Sequence, residues 1–131
     1  MNAYGAYSRA AASYRQTGRT TAADDPRKRL EITLAGTLTT LAKARNALAT
    51  GNIAERGEQV SRAITLISVL RTALDHDAAP ELAQRLDQLY DYCNRRLLAF
   101  NAGQHEVIDE VIQLIVTLKD GWDATPADSG A

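Results

Sequence analysis

Two histidines, one cysteine and sixteen carboxylates are the side chains of this 131-residue sequence best suited to an acid, a base, a thiol nucleophile or a metal site. His76 and His105 fall at predicted helix ends or in loops and read as solvated loop histidines. Glu106, Asp109 and Glu110 lie on the polar side of a predicted helix, and the Glu-x-x-His pattern that a di-iron bundle needs on two helices is absent. Cys93 has no neighbouring histidine and sits on an apolar stripe, which describes a buried, inert thiol. A lone cysteine also excludes an intrachain disulfide and a cysteine-based zinc site, and it fits a reducing compartment. The glycines are isolated, without a phosphate-cradling loop. Pro26-Arg27-Lys28-Arg29 is basic but short, and it stands at a helix start, where cations are slightly unfavourable. It reads as a solvated helix start. No catalytic residue, cofactor or metal is expected, and the chain is not read as an enzyme.

Composition narrows the classes further. Lys and Arg total 15 against 16 Asp and Glu, for a net charge of −1, which argues against nucleic acid as a partner. The chain is 45% hydrophobic but only 5% aromatic, so its core is aliphatic, and its length suits one domain. No run of about 18 apolar residues is present, so no membrane insertion is expected. Met1-Asn2-Ala3-Tyr4-Gly5 lacks the basic start and apolar run of a signal peptide. The expectation is a small soluble intracellular domain.

The elements that would position these residues are helices. Residues 1–25 hold Tyr4, Tyr7 and Tyr14 but no aliphatic side chain larger than alanine, too little apolar area to offset ordering, and are expected to form a mobile segment. Asp25-Pro26 then reads as an N-cap with proline in the first turn. Leu30, Leu34, Leu38, Leu41 and Leu48 follow at helical spacing, and Gly51 closes a helix over about 26–49. Asn52-Ile53-Ala54-Glu55 resembles a capping box and opens a second helix with Ile53, Val60, Ile64, Ile67 and Leu74 on its stripe. Pro80 opens a third, lined by Leu82, Leu86, Leu89, Cys93, Leu97 and Phe100, and Asn101-Ala102-Gly103 ends it. A fourth is expected over about 104–123, with Val107, Val111, Leu114, Leu118 and Trp122 as its core stripe. No period-2 stretch calls for a strand. The predicted fold is all-α: an antiparallel four-helix bundle over residues 26–123, with the mobile segment before it and a disordered tail over 124–131.

The apolar faces are unequal in width. In the fourth helix Ile108, Ile112 and Val116 form a second row, and with Ile115 between the rows the apolar arc spans roughly 200°. The second helix has a flanking row of Leu66, Val69 and Ala73 beside its core row, with Leu70 at the margin. The first helix keeps only Ile32 off its stripe. Either these two helices are more central, or the surplus rows form a groove for apolar side chains of a partner. Tyr4 and Tyr7 are then either a tethered cover for that groove or incidental residues of the leader.

One stretch is specific. Leu89-Tyr90-Asp91-Tyr92-Cys93-Asn94-Arg95-Arg96-Leu97 resembles the L-Y-D-Y-x-N-R-R-L signature of the FliS family of flagellar secretion chaperones. The start Met1–Tyr7 resembles the family's Y-x-x-Y, and the spacing from Pro26 to Gly36 matches that from its Ser-Pro to its L-Y-D-G. Asp109–Ile115 and Asp120-Gly121-Trp122 are similar to its last helix. Leu34 and Ala35 stand where the family usually has Tyr-Asp, and Asp24-Asp25-Pro26 replaces Ala-Ser-Pro, which marks a divergent member. The resemblance implies a non-enzymatic cytoplasmic chaperone. Such a protein binds the C-terminal region of flagellin, prevents premature polymerisation and helps deliver it to the flagellar type III export gate. Carried over, Tyr4 and Tyr7 are the cover. Tyr90, Asp91, Tyr92, Asn94, Arg95 and Arg96 match the signature, with Asn94 and Arg95 either linking helices or touching the partner. The rival reading is a homodimer that uses the surplus rows as a self-interface and has a regulatory flagellar role.

Overall fold

Punctuation residues set the helix boundaries. The computed structural model describes residues 25–124, and within them it holds four helices and no strand. The expected mobile leader with Tyr4 and Tyr7, and the tail beyond Ala124, lie outside the described residues. Helix α1 spans Pro26–Ala49; the Asp25 carboxylate accepts from the Arg27 N–H at 3.0 Å, and proline occupies the first turn. Its end is a Schellman turn, in which the Asn52 N–H reaches Ala47 O and the Gly51 N–H reaches Leu48 O. Gly51 takes φ 73°, a left-handed conformation that a Cβ disfavours by about 1 kcal/mol. Gly51→Ala is therefore expected to cost about that much in urea denaturation, although open space surrounds the position.

Helix α2, Ile53–Thr72, is capped by Asn52, whose Oδ1 accepts from the Glu55 N–H at 3.0 Å. Only half of the expected capping box forms, because the Glu55 carboxylate accepts instead from Gln59 Nε2 at 2.9 Å. Helix α3 spans Pro80–Asn101 and ends in a second Schellman turn at Gly103. Helix α4, Val107–Asp123, starts three residues later than the sequence predicts. Residues 104–106 are a turn in which the Val107 N–H still reaches Gln104 O, and no side chain caps the helix.

The helices pack as a ring in which α1 meets α2, α2 meets α3, α3 meets α4 and α4 returns to α1, while the diagonals do not pack. Ties between opposite ends show the antiparallel order. Arg45 near the end of α1 bonds Asp109 at the start of α4 at 2.9 Å, and Arg71 at the end of α2 bonds Asp87 near the start of α3 at 2.8 Å. Leu34, Leu41, Ile67, Leu70, Tyr90, Leu97, Phe100, Val111, Ile115 and Trp122 are fully buried in one core.

Several residues differ from the sequence reading. Arg27 is buried, not solvated, with its guanidinium 4.5 Å from the centre of the Trp122 ring. His105 is half-buried against the edge of Phe100 and lies 3.3 Å from Arg56 Nη1, whereas His76 is exposed as expected. Leu70 belongs to the centre of the α2 stripe, and Ile53 is 71% exposed, because it precedes the level at which α2 meets its neighbours. Ile108 is buried in the core while Leu114 is half-buried. Helix α4 packs between α1 and α3, so its buried sector is centred between the two rows rather than on one.

Candidate functional site

The two surplus apolar rows converge on α1. In α2, Leu66 faces α1 closely enough that a Cβ on Gly36 would stand 3.8 Å from its Cδ1. Val69 and Ala73 line a cleft of about 280 Å³ together with Pro26, Leu30 and Thr33 of α1. In α4, Ile112 and Val116 follow Asp109 at helical spacing, and Asp109 is the residue tied to Arg45 of α1. Ile112 and Val116 are half-buried on that flank. Ile32 stands on the outer ridge of α1 between the two seams and is 60% exposed; Val69 is 45% exposed. Ile108, expected in the same row, supports the surface from inside the core and does not line it. Of the residues singled out in the sequence, Ile32, Leu66, Val69, Ala73, Ile112 and Val116 therefore share one face, α1 with its two seams.

The α1 side of this face is lined by threonines. Thr37 and Thr40 are buried, yet their hydroxyls donate to the carbonyls of Thr33 and Gly36 at 2.7 and 2.8 Å. Their polar atoms are satisfied within the helix, which leaves methyl groups for packing. Leu98, also exposed, lies away from this face on α3.

The signature residues lie elsewhere and mostly bind one another. Asp91 accepts from Arg95 Nε at 2.9 Å and lies 3.5 Å from Arg71 Nη1, which joins α2 to α3. Glu110 of α4 accepts from the Tyr92 hydroxyl at 2.7 Å and from Arg96 Nε at 3.1 Å, which joins α3 to α4. Both arginines flank the Tyr92 ring. Tyr90 is fully buried, and Asn94 is half-buried. The Tyr92 and Arg96 donors hold the Glu110 carboxylate below its ordinary value of 4.5, and the Glu110 bond raises the Tyr92 phenol. The Arg71 bond likewise lowers Asp87. A carboxylate whose value is depressed by folding adds stability above its unfolded value and loses it as pH falls. Thermal stability is therefore expected to drop below about pH 4.5, and Glu110→Gln should shrink that acid-side drop in a calorimetric pH series.

Burial pushes the Cys93 thiol up to about 12, which agrees with an inert core residue. Among the described residues, no group of three or more histidine, cysteine or carboxylate side chains is placed to hold a metal, and no helix is long and apolar enough to cross a membrane.

The fold is a four-helix module with an apolar face along α1. The family profile described as "Flagellar protein FliS" matches residues 6–129, and the chain belongs to that family. It is 38% identical over 100 residues to the flagellar secretion chaperone FliSB of Pseudomonas aeruginosa, covering 76% of this chain and 79% of that one. The flagellar secretion chaperones FliS of Vibrio cholerae and Salmonella typhimurium are 32% identical over 107 residues and 34% over 99. These alignments cover 81% and 74% of this chain, and 79% and 73% of those relatives. No solved structure matches. The family is one of chaperones, and the chain is accordingly a chaperone and not an enzyme.

Proposed function

We propose that this chain is a cytoplasmic flagellar export chaperone that holds the C-terminal region of flagellin, prevents its premature polymerisation and assists its delivery to the export gate. The observation that carries the reading is the convergence of apolar rows on α1, with Ile32 and Val69 exposed between and beside the seams. An amphipathic segment laid along such seams buries apolar side chains worth about 1.5–3 kcal/mol each before ordering costs. A client that folds as it binds loses part of that gain, so a large interface goes with moderate affinity. Tyr4 and Tyr7 act in this reading as a tethered cover over part of the surface when no client is present.

Calorimetry with monomeric flagellin of the same organism tests it. Binding to the intact subunit, and none to a subunit lacking its C-terminal region, is the expected result. Equal binding of both, or of neither, would overturn the reading. Light scattering on the chaperone alone is expected to give a monomer; a dimer at every concentration would favour a self-interface instead.

A further inference from the structure

Three open clefts lie end to end along the seam between α1 and α2. The first is lined by Leu30, Val69 and Ala73, the middle one by Thr40 and Leu66, and the third by Asn46 and Gln59. Each cleft also holds one basic side chain: Arg29 in the first, Arg62 in the second and Lys43 in the third. The acid among the lining residues is Glu55, whose carboxylate already accepts from Gln59. Arg62 is steadied by Glu58 at 2.9 Å, and Lys43 has no ion-pair partner among the described residues. The sign of charge is sorted across the bundle as well. Helix α1 carries Arg27, Lys28, Arg29, Lys43 and Arg45 against Glu31 alone, whereas α4 carries Asp109, Glu110, Asp120 and Asp123 against Lys119 alone. Arg27 and Arg45 turn from α1 toward α4, at Trp122 and Asp109, and Glu58 offsets Arg62, so the α1–α2 seam keeps a small positive excess carried by Arg29 and Lys43 against Glu55.

We propose that this seam selects an acidic amphipathic helix of the client. Its apolar stripe would enter at Val69 and Ala73, and its carboxylates would meet Arg29, Arg62 and Lys43. The inference rests on the proposed chaperone reading and adds the chemistry of the captured segment. Arg29 and Lys43 are fourteen positions apart on α1, about 21 Å at helical rise, so the segment runs for about four turns. Charge chooses this occupant over two others. The chain's own leader carries Arg9, Arg15 and Arg19 against Asp24 and Asp25, with both acids at its last two positions, so the part before them has the same sign as the seam. A second copy docking by twofold symmetry would set these cations against themselves.

The test is fluorescence anisotropy with labelled monomeric flagellin and the full chain, its Lys43→Gln and Lys43→Glu variants, and a form lacking residues 1–20. Lys43 is exposed, so neither substitution should disturb the bundle, which circular dichroism checks. Lys43→Glu is expected to weaken binding about fivefold and Lys43→Gln about twofold. The difference should vanish between about 0.1 and 1 M salt, as the screening length falls from about 10 to about 3 Å. Flagellin bound equally by all variants at every salt concentration would overturn the acidic segment while leaving the chaperone reading intact. Tighter binding by Lys43→Glu would also overturn it, as would loss of the charge effect when residues 1–20 are removed, which would assign the seam to the leader. Failure of the unmodified chain to bind flagellin would overturn both.

Discussion

Trp122→Ala should cost about 3–5 kcal/mol of folding stability, a large part of the total for a bundle of this size. Trp122 is the largest fully buried side chain among the described residues, and it sits in the last turn of α4, where truncating the ring leaves a cavity in the core. The loss has a second component. The Arg27 guanidinium lies 4.5 Å from the ring centre and is itself buried, so removing the indole takes away the aromatic face against which that cation is held. The contact also joins the first turn of α1 to the last turn of α4, the pair that closes the ring of helices. Trp122→Phe keeps an aromatic face under Arg27 and should cost less than half as much. Urea denaturation followed by circular dichroism reads both values. A cost below about 1 kcal/mol for Trp122→Ala would mean that the α1–α4 closure does not depend on this ring.

The helices were legible from local signals. Asp25-Pro26, Gly51-Asn52 and Pro80 are cap and proline positions whose chemistry acts within one turn, and the observed boundaries follow them. The fourth start is not marked in the sequence because Gln104-His105-Glu106 carries no breaker, and only the turn geometry after Gly103 delays the helix. Which apolar row faces the core is not a local property. A helix between two neighbours buries the sector facing both, which drew Ile108 inward and left Leu114 half-buried. Arg27 illustrates the same point: its burial depends on a tryptophan almost a hundred residues away, and charge type alone argued for solvent. The candidate surface was legible as a surplus of apolar residues on two helices, but not as a place. That the row of α2 and the row of α4 flank the same helix follows from the ring order together with the Gly36–Leu66 and Arg45–Asp109 contacts, which periodicity does not contain. The signature was visible as a pattern, whereas its bonding to Arg71 and Glu110 required the neighbours.

Flagellin capture should fall at least a hundredfold with Val69→Asp, equivalent to about 2.7 kcal/mol, and remain unchanged with Leu98→Asp. Both residues are exposed hydrophobics, 45% and 59% accessible, so a carboxylate at either position should change folding stability by no more than about 0.5 kcal/mol. They differ in place. Val69 lines the α1–α2 cleft beside Leu30 and Ala73, where a client's apolar side chain would have to strand the new charge away from water. Leu98 lies on α3, away from α1 and both of its seams. Ile112→Asp should likewise abolish capture from the α4 side. Ile112 packs partly on the core, so the loss counts only if circular dichroism shows a folded bundle. Anisotropy with labelled flagellin ranks the three variants against the unmodified chain. Equal losses at Leu98 and Val69 would mean that the client reads exposed apolar area without regard to α1, and the α1 face would not be the binding site.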